Sequence, residues 1–119
     1  MRKIQPVVPE GGRLFVRIGG YRGTAVRILI DGKEAGVCAW EPYEIDITDF
    51  VSGQKESTLA IEIIGHRRNS HGPLHLAEKE PVWVGSAKYV TEGKEWQEEY
   101  QLVSCGLMVA PELVVRTPV

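Results

Sequence analysis

The sequence predicts an all-β fold, a two-sheet β-sandwich or jelly roll of about eight strands. Three observations predict it. Apolar residues recur at every second position in several short runs, the period of a strand with one buried face. No window carries the i, i+3, i+4, i+7 apolar pattern over three turns that a helix needs. Thirteen glycines and seven prolines punctuate the 119 residues, at intervals suited to short strands joined by turns.

The elements follow in chain order. Residues 13–18, RLFVRI, put Leu14, Val16 and Ile18 on one face. Residues 24–30, TAVRILI, turn Val26, Ile28 and Ile30 one way and Arg27 the other. Asp31-Gly32 then reads as a two-residue hairpin turn, because type I′ geometry needs positive φ at both central residues. Lys33–Cys38 is the returning strand. In ITDFVSG, 47–53, Thr48 or Asp49 is placed to cap one helical turn that Gly53 ends. Residues 58–64 alternate Leu59, Ile61 and Ile63 against Glu62. The tail offers YQLVSCGLMV, 100–109, and ELVVR, 112–116, broken at Ala110-Pro111. A weaker strand candidate is VWVGSAKYV, 82–90. This organisation makes residues 1–12 a connector or flexible lead, 13–116 a single sandwich domain and 117–119 a tail.

Composition limits the function classes. At 43% hydrophobic and 25% charged, the chain has the makings of a packed core rather than of disorder. A net charge of −2 produces no basic field, so neither nucleic acid nor an anionic membrane surface is expected as a partner. No apolar run approaches the roughly 20 residues of a membrane helix. The opening MRKIQPVVPEGG lacks the apolar stretch of a signal peptide, and a signal would have to sit on a longer parent chain. Cys38 and Cys105 have no CxxC spacing and form no zinc motif. Free thiols are the expectation, although sequence leaves a bridge between them open.

Reactive side chains concentrate in HRRNSHGPLH, 66–75. A zinc site built from His66, His71 and His75 would need three imidazoles converging. Their spacings of five and four match no defined motif, and Arg67 and Arg68 would repel a dication. No metal ligand set is therefore expected, and no cofactor; a structural calcium stays open, because carbonyl and carboxylate cages leave almost no linear trace. The carboxylates Glu41, Glu44, Asp46, Asp49, Glu62, Glu98 and Glu99 sit in no pattern that marks a glycosidase pair, and no nucleophile or phosphate-loop motif occurs. No catalytic residue is expected. A sugar site would pair aromatic rings with planar donors, and Tyr21, Trp40, Tyr43, Trp83, Trp96 and Tyr100 supply rings.

Residues 26–64 add a longer pattern. VRILIDGKEAG is followed by EPYEIDITDFVSG and then by the strand LAIEII. This resembles the jelly-roll, galactose-binding-like accessory domain of the β-galactosidase and β-glucuronidase group of glycoside hydrolases. In that reading Tyr43 and Ile45 turn inward, Asp46 and Thr48 end the strand and cap a turn, and Phe50 and Val51 tuck the turn against the sheet. The later part is most similar to a C-terminal module of large bacterial enzymes. It carries Arg68-Asn69-Ser70-His71-Gly72-Pro73-Leu74-His75, then Trp83-Val84-Gly85, then Trp96, Tyr100, Leu102, Gly106 and Leu107.

The resemblance spans roughly residues 13–116 and implies a non-catalytic accessory domain whose partner is the catalytic domain of the same polypeptide. It implies a bacterial parent that is secreted, periplasmic or on the cell surface. Arg67, Arg68, Asn69, His71, His75, Trp83 and Trp40 become candidates for carbohydrate or domain contact. Gly72, Pro73, Asp46 and Asp49 become structural loop residues, with Gly72 chosen for its freedom in φ, Asn69 bonded to nearby backbone and Arg68 bridging loop and sheet. Two departures stand out: the N-terminal strands are short, and the chain contains no catalytic barrel. The alternatives are an autonomous carbohydrate-binding module and, as a minor one, a free-standing metal-dependent hydrolase. A packing module would spend Arg68, Asn69 and His75 on its own backbone or on a neighbouring domain. A binding module would leave arginines and aromatic rings open on one rim.

Overall fold

A computed structural model describes residues 1–79, 81 and 83–118. The chain divides into two compact units, 1–65 together with 106–119, and 66–105. Among the described residues the first unit holds nine strands: β1 Arg2–Ile4, β2 Arg13–Arg17, β3 Tyr21–Arg22, β4 Ala25–Ile30, β5 Lys33–Cys38, β6 Glu44–Asp46, β7 Ser57–Ile64, β8 Gly106–Leu107 and β9 Glu112–Arg116. They form a four-stranded sheet of order β1-β7-β4-β5, a three-stranded sheet of order β6-β2-β9, and the pair β3-β8. All pairings are antiparallel. The predicted fold class is the observed one, an all-β sandwich.

Alternation decides which face is buried. Val26, Ile28 and Ile30 of β4 are 0–1% exposed, and they meet Leu14 and Val16 of β2, and Ile18 just beyond it, in one aliphatic core with Leu59, Ile47 and Val51. Burial of each such side chain stabilises by roughly 1.5–3 kcal/mol. On the opposite face of β4, Arg27 sits directly across from Glu62 of β7 and its guanidinium pairs with that carboxylate. The β4–β5 hairpin turns on Asp31 (φ 50°) and Gly32 (φ 81°), the two positive values that a type I′ turn requires. A bulge shifts the β4–β5 register between Ile28 and Leu29.

The single turn after β6 is the helix α1, Thr48–Val51. Its N-cap position is Ile47, and no side chain at that position caps it. Asp46, one residue further back, accepts from the Thr48 amide (2.9 Å) and the Thr48 hydroxyl (2.6 Å). The buried Thr48 hydroxyl oxygen in turn accepts from the Leu14 amide at 2.8 Å. Thr48 thus ties the turn to β2, and Asp49 stays exposed, 3.6 Å from Arg13.

Three expectations are corrected. Residues 1–12 do not run as a bare connector: Arg2–Ile4 form β1, paired with Ser57 to Leu59 of β7, because Ile4 packs on the core even though three residues are too few to display a period. Within 82–90, where Val82 lies outside the described residues, Ser86–Lys88 make a 3-10 turn closed by the Lys88 amide on the Gly85 carbonyl. Of 100–109 only Gly106–Leu107 are a strand. In 100–105 the backbone bonds that a ladder would use go to Asn69 and Leu74 instead.

Candidate functional site

The second unit, 66–105, is built around the histidine-rich loop. Its helix α2, Arg68–His71, is one turn long and stops at Gly72. Gly72 has φ −88° and ψ 173°, an ordinary extended conformation, so the expected need for φ freedom is not why glycine stands there. A Cβ at Gly72 would lie 2.3 Å from the Arg68 carbonyl oxygen, and close approach is the reason. Pro73 follows and is buried.

From this turn two side chains reach far along the chain. Arg68 donates through Nη1 to the Pro73 carbonyl (2.6 Å) and through Nη2 to Gln101 Oε1 (3.0 Å). Its expected bridge to a sheet is therefore a bridge to an irregular segment. Asn69 donates from Nδ2 to the Val103 carbonyl and accepts on Oδ1 from the Val103 amide, both at 2.8 Å. One carboxamide thus stands in for a strand neighbour, 34 residues away in sequence rather than locally. A thin antiparallel seam completes the frame: Gln101 donates to Leu74, Gln97 to His75 and Ala77 to Glu95. Leu76, bridged to Trp96, is 1% exposed.

The three histidines are engaged separately. His66 Nε2 meets the Ser104 carbonyl at 3.1 Å, His71 Nδ1 meets Ser70 Oγ at 2.7 Å, and His75 Nδ1 meets the Glu98 carbonyl at 3.1 Å. Among the described residues no three potential metal ligands gather. The His71 carbonyl also accepts from the Tyr89 hydroxyl at 2.7 Å. Arg67 is exposed, and its carbonyl accepts from the Ser70 and His71 amides.

His75 also organises an aromatic tier. Its ring stacks on Trp96 with centroids 5.8 Å apart and planes at 28°, and it touches Tyr100 at 4.8 Å. Tyr100 lines a groove of about 350 Å³ with Lys79, Gln97, Glu99, Gln101 and Ser104. Trp83 is exposed, its indole folded so close over Gly85 that a Cβ there would fall 1.8 Å from the ring. Trp40, Asp46 and Asp49 belong to the first unit. Trp40 is exposed. Among the described residues the aromatic candidates meet in two places, the tier around His75 and, in the first unit, Tyr21 edge-on to Tyr43 with centroids 5.4 Å apart. The motif had marked Trp96 and Tyr100 through their WxxxY spacing, but the participation of Gln97, Gln101 and Val103 left no linear signal.

Glu44, Asp46 and Glu62 of the first unit pair with arginines. Glu44 takes Arg17 at 2.8 Å and Arg116 at 2.7 Å, and Arg116 also lies 4.5 Å over the Phe15 ring. The Arg17 hydrogen bond is the main reason the Glu44 carboxyl sits below its usual value, against an upward push from burial. Burial pushes Asp46 up, but the Thr48 hydroxyl and amide together with Arg13 outweigh it and hold the carboxyl below the usual range. A general acid needs a raised value, so both shifts run against that role. Cys38 is buried and Cys105 exposed, both free; burial raises the Cys38 thiol.

No protein-family model matches this chain, and no curated protein matches it at a significant level. Among solved structures it is similar to a rhamnosidase from Novosphingobium sp. PP1Y, with TM-score 0.63 and 19% sequence identity. The likeness covers 97% of this chain and 10% of that chain. At this identity the similarity is one of fold. The fold described above is thus also found as a tenth of a larger glycoside hydrolase chain.

Proposed function

We propose that this chain is a non-catalytic accessory module of a larger glycoside hydrolase, of the galactose-binding-like jelly-roll kind. The carrying observation is that its fold recurs as 10% of a rhamnosidase chain, a share that suits one module of a larger polypeptide. The commitment of Arg68 and Asn69 to the unit's own backbone and to Gln101 supports a loop that shapes the module rather than one that reacts. The lowered carboxyls of Glu44 and Asp46 support the absence of a glycosidase acid on that sheet. Its partner would be the catalytic domain of the same polypeptide, and glycan contact would be a second role, favoured by the exposed ring of Tyr100 in a groove. Rhamnosides are the first glycans to test, because the structural neighbour is named for them.

The reading is tested by incubating the purified chain with aryl glycosides, rhamnosides included. The expected result is no release above the blank. Turnover that disappears when one carboxylate is substituted would overturn it.

A further inference from the structure

We infer that the groove beside Tyr100 is a carbohydrate subsite that takes one neutral pyranose ring on the tyrosine face. Tyr100 is 70% exposed, yet its ring is braced. It leans on His75, which stacks on Trp96 and meets the Glu98 carbonyl. A ring ordered before ligand arrives loses little freedom when covered, and preorganisation of this kind favours binding. An aromatic face carries negative charge density and attracts the weakly positive C–H edge of a ligand. A pyranose supplies that edge on one side and hydroxyls around its rim.

The lining suits those hydroxyls. Gln97 offers a carboxamide, Glu99 a carboxylate and Lys79 an ammonium group, and among the described residues none of these side chains is engaged in a hydrogen bond or ion pair. Each sugar hydroxyl both donates and accepts, so it matches all three. The volume of about 350 Å³ lies at the lower end of the roughly 300–1,000 Å³ typical of small-molecule sites, which fits a single ring. Glu95, Glu98 and Glu99 share the segment that borders the groove and disfavour anions such as phosphates.

The groove has a fixed floor. Gln101 is held by Arg68 and by the Glu78 carbonyl, and Val103 by Asn69. Arg68 and Asn69 are thus positioning residues for this subsite. The choice of a sugar rests on the accessory-module reading, but the two fail separately. Turnover of an aryl glycoside would remove that reading and leave the groove untouched, whereas a groove that ignores sugars would leave the accessory role standing.

The test is a titration of the full 119-residue chain with methyl glycosides of hexoses and 6-deoxyhexoses, followed by amide chemical shifts. The expected result is saturable, millimolar binding of at least one glycoside, with shifts confined to 75–79 and 96–104. Tyr100→Ala should weaken it at least tenfold, and Gln97→Ala or Glu99→Ala, at exposed or half-buried positions with no packing role, several-fold. Dispersion of the amide spectrum checks that each variant is folded. Absence of shifts with every glycoside at its solubility limit would overturn the proposal. So would binding that survives Tyr100→Ala and Gln97→Ala but is lost in Trp40→Ala.

Discussion

The two units of this chain satisfy the same backbone by different means. In 1–65 with 106–119, strands pair with strands, and every second side chain of β4 enters a continuous aliphatic core. In 66–105, the buried residues among those described are Pro73 and Leu76, and single side chains take the place of ladder neighbours. Asn69 alone serves both the amide and the carbonyl of Val103. The difference teaches where substitution is costly and how far its effect spreads. A ladder distributes loss over many bonds and a shared core, whereas a clamp concentrates it in one residue.

Four experiments would break or sharpen that contrast. The largest effect is expected for Ile28→Ala, at a fully buried position, which should destabilise by about 2–5 kcal/mol in denaturant unfolding. A loss below 1 kcal/mol on that scale would mean that the core is not the main support of the first unit. Next, Thr48→Val keeps the shape but leaves the buried Leu14 amide without its acceptor. A cost of about 1–3 kcal/mol is expected, with amide exchange quickened in β2 and α1.

Asn69→Ala should cost about 1–2 kcal/mol, confined to the second unit. Exchange at residues 101 and 103 should rise while β4 and β7 amides keep their protection. If β4 protection falls equally, the two units unfold together and the contrast is one of appearance only. The smallest effect concerns acid. Glu44 and Asp46 have lowered values in the fold, so their contribution is complete above the ordinary carboxylate value near pH 4. It is lost as pH falls through the lowered values. Asp46→Asn should therefore lower the midpoint at neutral pH slightly and flatten the stability profile below about pH 4, where the two chains converge. A profile as steep as that of the original chain would assign the acid sensitivity elsewhere.

Much of the first unit was legible because its physics is local. β4 announces itself through Val26, Ile28 and Ile30, and the Asp31-Gly32 turn needs only two neighbouring residues. The turn after β6 was legible as well: of the residues offered to cap it, Asp46 supplies the oxygen, and Thr48 donates to it. The second unit was legible as a motif but not as a geometry. The sequence pattern singled out Arg68, Asn69, Gly72 and His75, yet Gly72 is required by the Arg68 carbonyl rather than by φ. The expected strand over 100–109 shrank to two residues because Asn69 had taken the bonds of Val103. β1 was missed because three residues display no period, and only pairing with β7 makes them a strand.

By itself, then, the sequence determined the all-β class, the inward faces of β2, β4 and β7 and the hairpin that joins β4 to β5. Those outcomes depend on neighbouring residues, and the pleat converts their order directly into burial. Tertiary structure alone decided that Asn69 would meet Val103, that Arg68 would meet Gln101, and that His75 would stack Trp96 and Tyr100 beside a groove. These contacts join positions more than twenty residues apart, and no period or spacing encodes which distant backbone a side-chain amide will find.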